Sequence, residues 1–143
     1  MKVLVIAPHP DDEVLGAGGT IAKWASQGWE VHIHVLTEGS SSQYPGQPEI
    51  VTRKREEAQR AAAVLGAKGL SFADLPDMQL DRIAHVDLNR AIQRCLAETN
   101  PQVVLTPYPD VNKDHCLTFE STLVAVRPLA GCGVKEVLAY PVA

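Results

Sequence analysis

The apolar positions along the chain change period several times, and each change marks an element. Residues 2–7, KVLVIA, form an unbroken β-branched and leucine-rich run, the pattern of a strand buried on both faces. Gly18, Ile21, Ala22 and Ala25 then recur at helical spacing, and Gly28 is placed to cap that helix. Between Glu30 and Leu36, Val31, Ile33 and Val35 alternate with His32 and His34, which predicts a strand with one less deeply buried face. Residues 37–49, TEGSSSQYPGQPE, are rich in Ser, Gly and Pro and read as a long mobile loop.

Ala58, Ala61, Ala62 and Leu65 line one face of a second helix ending near Gly66, followed by a short strand from Leu70 to Phe72. ADLPDMQLD, residues 73–81, reads as an irregular connection. Leu88, Ile92, Cys95 and Leu96 mark a third helix, stopped by Asn100 and Pro101. Val103 to Thr106 is a strand, residues 107–115 a loop, and a short helix from about Cys116 and a strand over 134–140 complete the pattern.

Strands alternating with helices predict an α/β fold: a Rossmann-like three-layer sandwich with a mostly parallel sheet and helices on both faces. Ligands of such sheets bind outside the carboxyl ends of the strands. The acidic HPDDE follows the first strand and DVNKDH follows the fourth, so both fall on one rim. No repeat or second domain interrupts residues 1–143. VLAYPVA follows a strand pattern with no closing helix, which leads us to expect a single domain lacking a C-terminal segment.

Composition narrows the partners. A formal net charge of −4 leaves no basic footprint for nucleic acid. The N-terminal apolar run is far too short for a signal peptide core or a membrane span, so membrane insertion is not expected. Three cysteines (Cys95, Cys116 and Cys132) form no CxxC pair, which suits reduced thiols and a cytoplasmic location.

The chemistry lies in the acidic turn. Adjacent carboxylates at Asp11, Asp12 and Glu13 repel one another unless a cation or a shared proton holds them together. His9 and Asp12 on one turn, with His115 arriving from the distant cluster, supply two imidazoles and one carboxylate, the ligand set of many catalytic zinc sites. Asp11 is then placed to accept a proton from a metal-activated water. Read alone, the turn is equally an Asp helix cap beside a surface histidine; the second cluster on the same rim favours the metal. His32, His34 and His85 read as strand-face or surface histidines, and Cys116 as a small core residue at a helix start. GAGG, residues 16–19, lacks dinucleotide-loop spacing and follows carboxylates that would repel a pyrophosphate. Its glycines instead let the first helix pack close to the sheet.

APHPDDEVLGAGGTIAKWASQG together with DVNKDH resembles the LmbE/PIG-L family of zinc-dependent N-deacetylases, and TRKREEAQRAAAVLG, FADLPDMQLD and AVRPLAGCGVKEVLAY extend the likeness nearly end to end. The resemblance implies hydrolysis of an N-acetyl group from an N-acetylglucosamine-type sugar or glycoconjugate. It implies Zn2+, with Fe2+ or another divalent ion as the alternative, held by His9, Asp12 and His115, and Asp11 as general base. Asn112 would face the reacting carbonyl as an oxyanion donor, and Asp114 would orient a histidine or the metal water. Arg53, with Lys54 nearly equivalent in register, and Asp77 would contact sugar hydroxyls. Relatives often associate, so a homo-oligomer is among the expected states.

Thr106, Pro107 and Tyr108 stand where many relatives read THH, and many relatives continue past this last strand to supply a further histidine. The competing expectations are a metal-retaining but inactive sugar-binding or scaffold domain and, more weakly, a phosphoester hydrolase.

Overall fold

The structure is a computed structural model and describes residues 1–129 and 131–142. Five strands and four α-helices alternate: β1 (Lys2–Ala7), α1 (Asp12–Ser26), β2 (Glu30–Thr37), α2 (Pro48–Leu65), β3 (Gly69–Leu75), α3 (His85–Thr99), β4 (Val103–Pro107), α4 (Lys113–Ala125) and β5 (Glu136–Tyr140), with a 3-10 turn at Leu80–Arg82 before α3. The sheet is not mostly but wholly parallel, in the order β3-β2-β1-β4-β5. The chain builds outward from β1 to β3, then returns to the other side of β1 to lay down β4 and β5. That reversal leaves a crevice at the carboxyl ends of β1 and β4.

Period-two alternation sorts β1 between two cores. Val3, Val5 and Ala7 pack with Ile21 of α1 and Ala62 of α2, while Leu4 and Ile6 pack with Leu88, Ile92 and Cys95 of α3. Both faces of β1 are therefore covered, and burial of each of its Val, Leu and Ile side chains contributes about 1.5–3 kcal/mol. Gly16 permits the tight seating of α1, because a Cβ there would collide with the Tyr140 ring and the Pro141 carbonyl. Gly66, at φ +76, ends α2 in the left-handed conformation that its position predicts.

Three boundaries differ from the sequence pattern. β3 runs on to Leu75, because Thr37 and Leu75 pair beyond a bulge in β3, near Asp74 with its φ of +57, that the sequence pattern does not reveal. The final strand begins at Glu136 rather than 134. α4 starts at Lys113 rather than near Cys116, because Asn112 caps it: its side-chain oxygen accepts the Asp114 N–H at 2.9 Å. Asp114 and His115 thus sit in a helical first turn instead of a loop.

The loop after β2, expected to be mobile, is tied down at its start. The Glu38 carboxylate accepts from the backbone N–H groups of Ser40, Ser41 and Asp77, and from the Ser40 hydroxyl. Ser42 donates to the Asp77 carbonyl at 2.6 Å. Among the described residues no helix is long and apolar enough to cross a membrane.

Candidate metal centre

At the end of β1 the chain leaves the sheet through Pro8, His9 and Pro10 and enters α1 at Asp12. The Asp12 carboxylate turns back onto this segment and accepts both the His9 backbone N–H and the His9 Nδ1–H at 3.0 Å. From the other side of the crevice, the first turn of α4 brings His115 Nε2 to 3.3 Å from the same Asp12 oxygen. Ligand atoms of His9, Asp12 and His115 all lie within 4.8 Å of one another. The two histidine rings stand 5.4 Å apart between centroids.

Each histidine is held from behind by a carboxylate. His9 Nε2 donates to Asp114 at 3.1 Å, and His115 Nδ1 donates to Asp110 at 2.7 Å. Asp114 spends its second oxygen on the Leu80 N–H at 3.1 Å, which fixes the turn carrying Asp77 and Met78. The remaining ring nitrogens, His9 Nδ1 and His115 Nε2, face the Asp12 carboxylate. His115 Nε2 is buried with no hydrogen-bond partner. An orphaned imidazole nitrogen beside a buried carboxylate and a second oriented imidazole is the donor set that a divalent cation takes. The residues fit a metal.

Protons on the histidines compensate the clustered carboxylates. Burial alone would lower the His9 pKa, but its hydrogen bonds to Asp114 and Asp12 outweigh that and hold it at about 10. Burial would likewise raise Asp12, yet His115 and His9 draw it down to about 2. His115 is raised, the nearby carboxylates of Asp12 and Asp110 overcoming desolvation. Burial pushes Glu13 up to about 7, reinforced by the charges of Asp11 and Asp12. The repulsion written into HPDDE is therefore offset by histidine protons and by partial protonation of its third acid, Glu13.

The cavity above this cluster has a volume of about 280 Å³ and is lined by His9, Asp11, Asp12, Asp77, Asn112 and His115, with Lys54 and Gln43 from the α2 side. Asp11 occupies the helix N-cap position but makes no capping hydrogen bond, so its exposed carboxylate is uncommitted. Asn112 uses its oxygen as the α4 cap and leaves its Nδ2 to donate, at present to the Met78 sulfur at 3.5 Å. Asp77 is buried, with one oxygen 3.7 Å from His9 Nε2.

Arg53 is not in the cavity: it is solvent-exposed and its nearest carboxylate is Glu57, at 3.7 Å along the same helix. Lys54 lines the cavity in its place. One position along a helix turns a side chain by roughly 100°, so a one-residue error in register exchanges the site for solvent. His34, expected on a strand face, is buried there and hydrogen-bonded through Nδ1 to Ser71 at 2.8 Å.

Sequence reading gave no role to Asp110 or Glu38. Asp110 precedes His115 by five residues within DVNKDH, and that spacing between an acid and a ligand was the signal available. Glu38 lies in a stretch whose composition reads only as loop, and nothing in its neighbours points to the four donors it collects.

A wholly parallel sheet with a histidine–carboxylate cluster at its switch point defines a Rossmann-like α/β protein with a candidate hydrolytic metal centre. The family model described as PIG-L, GlcNAc-PI de-N-acetylase, matches residues 4–126, and the chain belongs to that family. It is 33% identical over 135 residues to "Probable N-acetyl-alpha-D-glucosaminyl L-malate deacetylase 2" of Bacillus anthracis, covering 89% of this chain and 60% of that protein. It is 37% identical over 111 residues to diacetylchitobiose deacetylase of Thermococcus kodakarensis, covering 76% of this chain and 41% of that one. The chain thus spans about half the length of these two relatives. The structure of N,N'-diacetylchitobiose deacetylase from Pyrococcus horikoshii, complexed with an inhibitor, superposes with a TM-score of 0.83 at 25% identity, covering 97% of this chain and 60% of that one.

Proposed function

We propose that this domain is a metal-dependent amide hydrolase that removes the acetyl group from an N-acetylglucosamine-type sugar or glycoconjugate, acting as a single domain with Zn2+ as its metal. The observation that carries this reading is the convergence, in one cavity, of His9, Asp12 and His115 beside the uncommitted Asp11 carboxylate and the Asn112 amide.

His9 Nδ1, the Asp12 carboxylate and His115 Nε2 would hold the cation. When bound, it supplies Lewis acidity and lowers the pKa of a coordinated water from 15.7 to roughly 7. Asp114 and Asp110 keep the two imidazoles turned toward Asp12 and fix which nitrogen carries a proton. Asp11 takes the proton of the attacking water. The Asn112 Nδ2–H donates to the carbonyl oxygen as negative charge develops there; an amide can donate but cannot serve as an acid. The proton held by Asp11 then passes to the leaving amine. Lys54 and Asp77 lie where the sugar hydroxyls would sit. The three free cysteines suit a reducing compartment.

The test is acetate release by the zinc-loaded chain from N-acetylglucosamine glycosides, from N-acetylglucosaminyl malate and from diacetylchitobiose, set beside Asp11→Asn. Release that disappears in Asp11→Asn while zinc is retained supports the reading. Release unchanged in that variant contradicts it.

A further inference from the structure

A second cavity, of about 390 Å³, opens between the edge strand β3 and α3, and among the described residues it shares no lining side chain with the metal cavity. Side-chain size explains it. Leu88, Ile92 and Cys95 of α3 pack with Leu4 and Ile6 of β1. Between α3 and β3, however, the facing residues Ala91, Ser71 and Ala73 are too small to fill the gap beside Leu75 and Ile83. The volume lies within the ~300–1,000 Å³ of small-molecule sites.

The cavity holds an unmet polar group. His34, only 7% exposed, reaches it from β2. Ser71 occupies the His34 Nδ1 at 2.8 Å, while Nε2 is buried with no hydrogen-bond partner. A buried polar atom without a partner is the exception in a folded protein. Burial, with help from Arg94, lowers the pKa of this imidazole to about 4 and keeps it neutral. Arg94 borders the same cavity, is exposed, and makes no ion pair among the described residues. The two acids at the rim leave it free: Asp87 pairs with Arg90 at 3.3 Å, and Glu98 lies one helical turn on, where the cavity adjoins a cleft at His32.

We propose that this cavity binds a small amphiphilic carboxylate, with the carboxylate between His34 Nε2 and the Arg94 guanidinium and the apolar body along Ala73, Leu75, Ile83 and Ala91. With the Ser71 hydroxyl donating to Nδ1, the neutral ring carries its proton on Nε2 and donates it to the anion. The guanidinium adds charge-assisted hydrogen bonds at the rim. An inorganic anion would leave the apolar wall unused, and an uncharged lipid would leave Arg94 unused. The site is independent of the deacetylase reading, so the failure of either leaves the other standing.

The full chain is titrated by NMR with octanoate, below its micelle concentration, with octanamide and with acetate. The His34 ring signal is identified by its loss in His34→Gln. Octanoate should move that signal saturably and bind about tenfold or more tightly than octanamide, which has the tail without the charge. It should also bind about tenfold or more tightly than acetate, which has the charge without the tail. The preference for octanoate over octanamide should fall to about one in Arg94→Gln. It should persist in Arg60→Gln, which alters an exposed arginine of α2 that does not line the cavity.

An unmoved His34 signal, equal affinity for octanoate and octanamide, or a preference that survives Arg94→Gln overturns the proposal. Acetate bound as tightly as octanoate also overturns it, because the site then reads an anion alone. A dimer in sedimentation that Arg94→Gln dissolves overturns it as well, because the occupant is then a second copy of the chain.

Discussion

The Asp110 carboxylate lies 2.7 Å from Nδ1 of His115, so the imidazole that α4 contributes has one nitrogen committed and the other turned to Asp12. Asp114, in the first turn of α4, does the same for His9. His9 and His115 come from segments more than a hundred residues apart, and each is oriented by an acid belonging to the β4–α4 segment. The candidate metal cluster is thereby a single unit.

Removing one of these acids frees a ring to rotate and lowers its basicity without removing a ligand. Asp110→Ala is expected to weaken zinc binding by roughly 10–100-fold while the fold is kept. Competition with a chromophoric chelator measures it. Unchanged affinity would show that the Asp110–His115 bond has no part in metal binding.

Metal uptake should be strongly pH-dependent. The carboxylates of Asp114 and Asp12 hold His9 at about 10, and an imidazole that binds zinc must give up its Nδ1 proton, so zinc would displace at least one proton throughout neutral pH. Affinity should rise about tenfold or more per pH unit between pH 6 and 8. Calorimetry in buffers of different ionisation enthalpy reads the released protons directly. A pH-independent affinity would mean that His9 is already neutral.

His34 sets an acid limit on stability that is separate from the site. Burial, with help from Arg94, lowers its pKa from 6.5 to about 4, so it stays neutral in the folded state where the unfolded chain binds a proton. The stability it contributes is complete above pH 6.5 and is lost as pH falls toward 4, up to about 3 kcal/mol. Glu13, raised to about 7, acts in the opposite sense, favouring the folded state as pH falls from 7 toward 4.5. The measurement is therefore the difference between wild type and His34→Gln in urea unfolding at pH 7 and pH 4.5. The variant should lose less stability on acidification than wild type, and equal losses would contradict the account.

Glu38 should act on substrate binding more than on turnover. It joins the start of the β2–α2 loop to Asp77, on the cavity wall, without touching the metal ligands. Glu38→Gln keeps the shape but removes the charge that receives four donors, and should raise KM several-fold with a smaller change in kcat. A loss confined to kcat would place Glu38 in the chemistry instead.

The strands were legible because a doubly covered parallel sheet writes long apolar runs, and residues 2–7 and 103–106 do little else. His9, Asp12 and His115 could be picked out because each follows a strand end on one rim, where topology alone brings them together. Arg53 shows the limit: a helix surface offers no periodic mark to separate one charged position from its neighbour, and Lys54 holds the place by the cavity. The start of α4 was hidden for a related reason. Its inner face carries Asp114, His115, Thr118, Ser121 and Thr122, all buried, so it lacks the apolar stripe that announces a helix. Asp110 stands only five residues before His115, but Glu38 also accepts from Asp77, 39 residues on, and no local spacing records that partner.

Zinc content and affinity of the purified chain, beside His115→Ala and Asp12→Ala, test most directly whether the two distant motifs build one site. About one zinc per chain in wild type, lost in both folded variants, is the result this account predicts. Folded wild type that takes up no zinc, or variants that hold it as tightly as wild type, would contradict it.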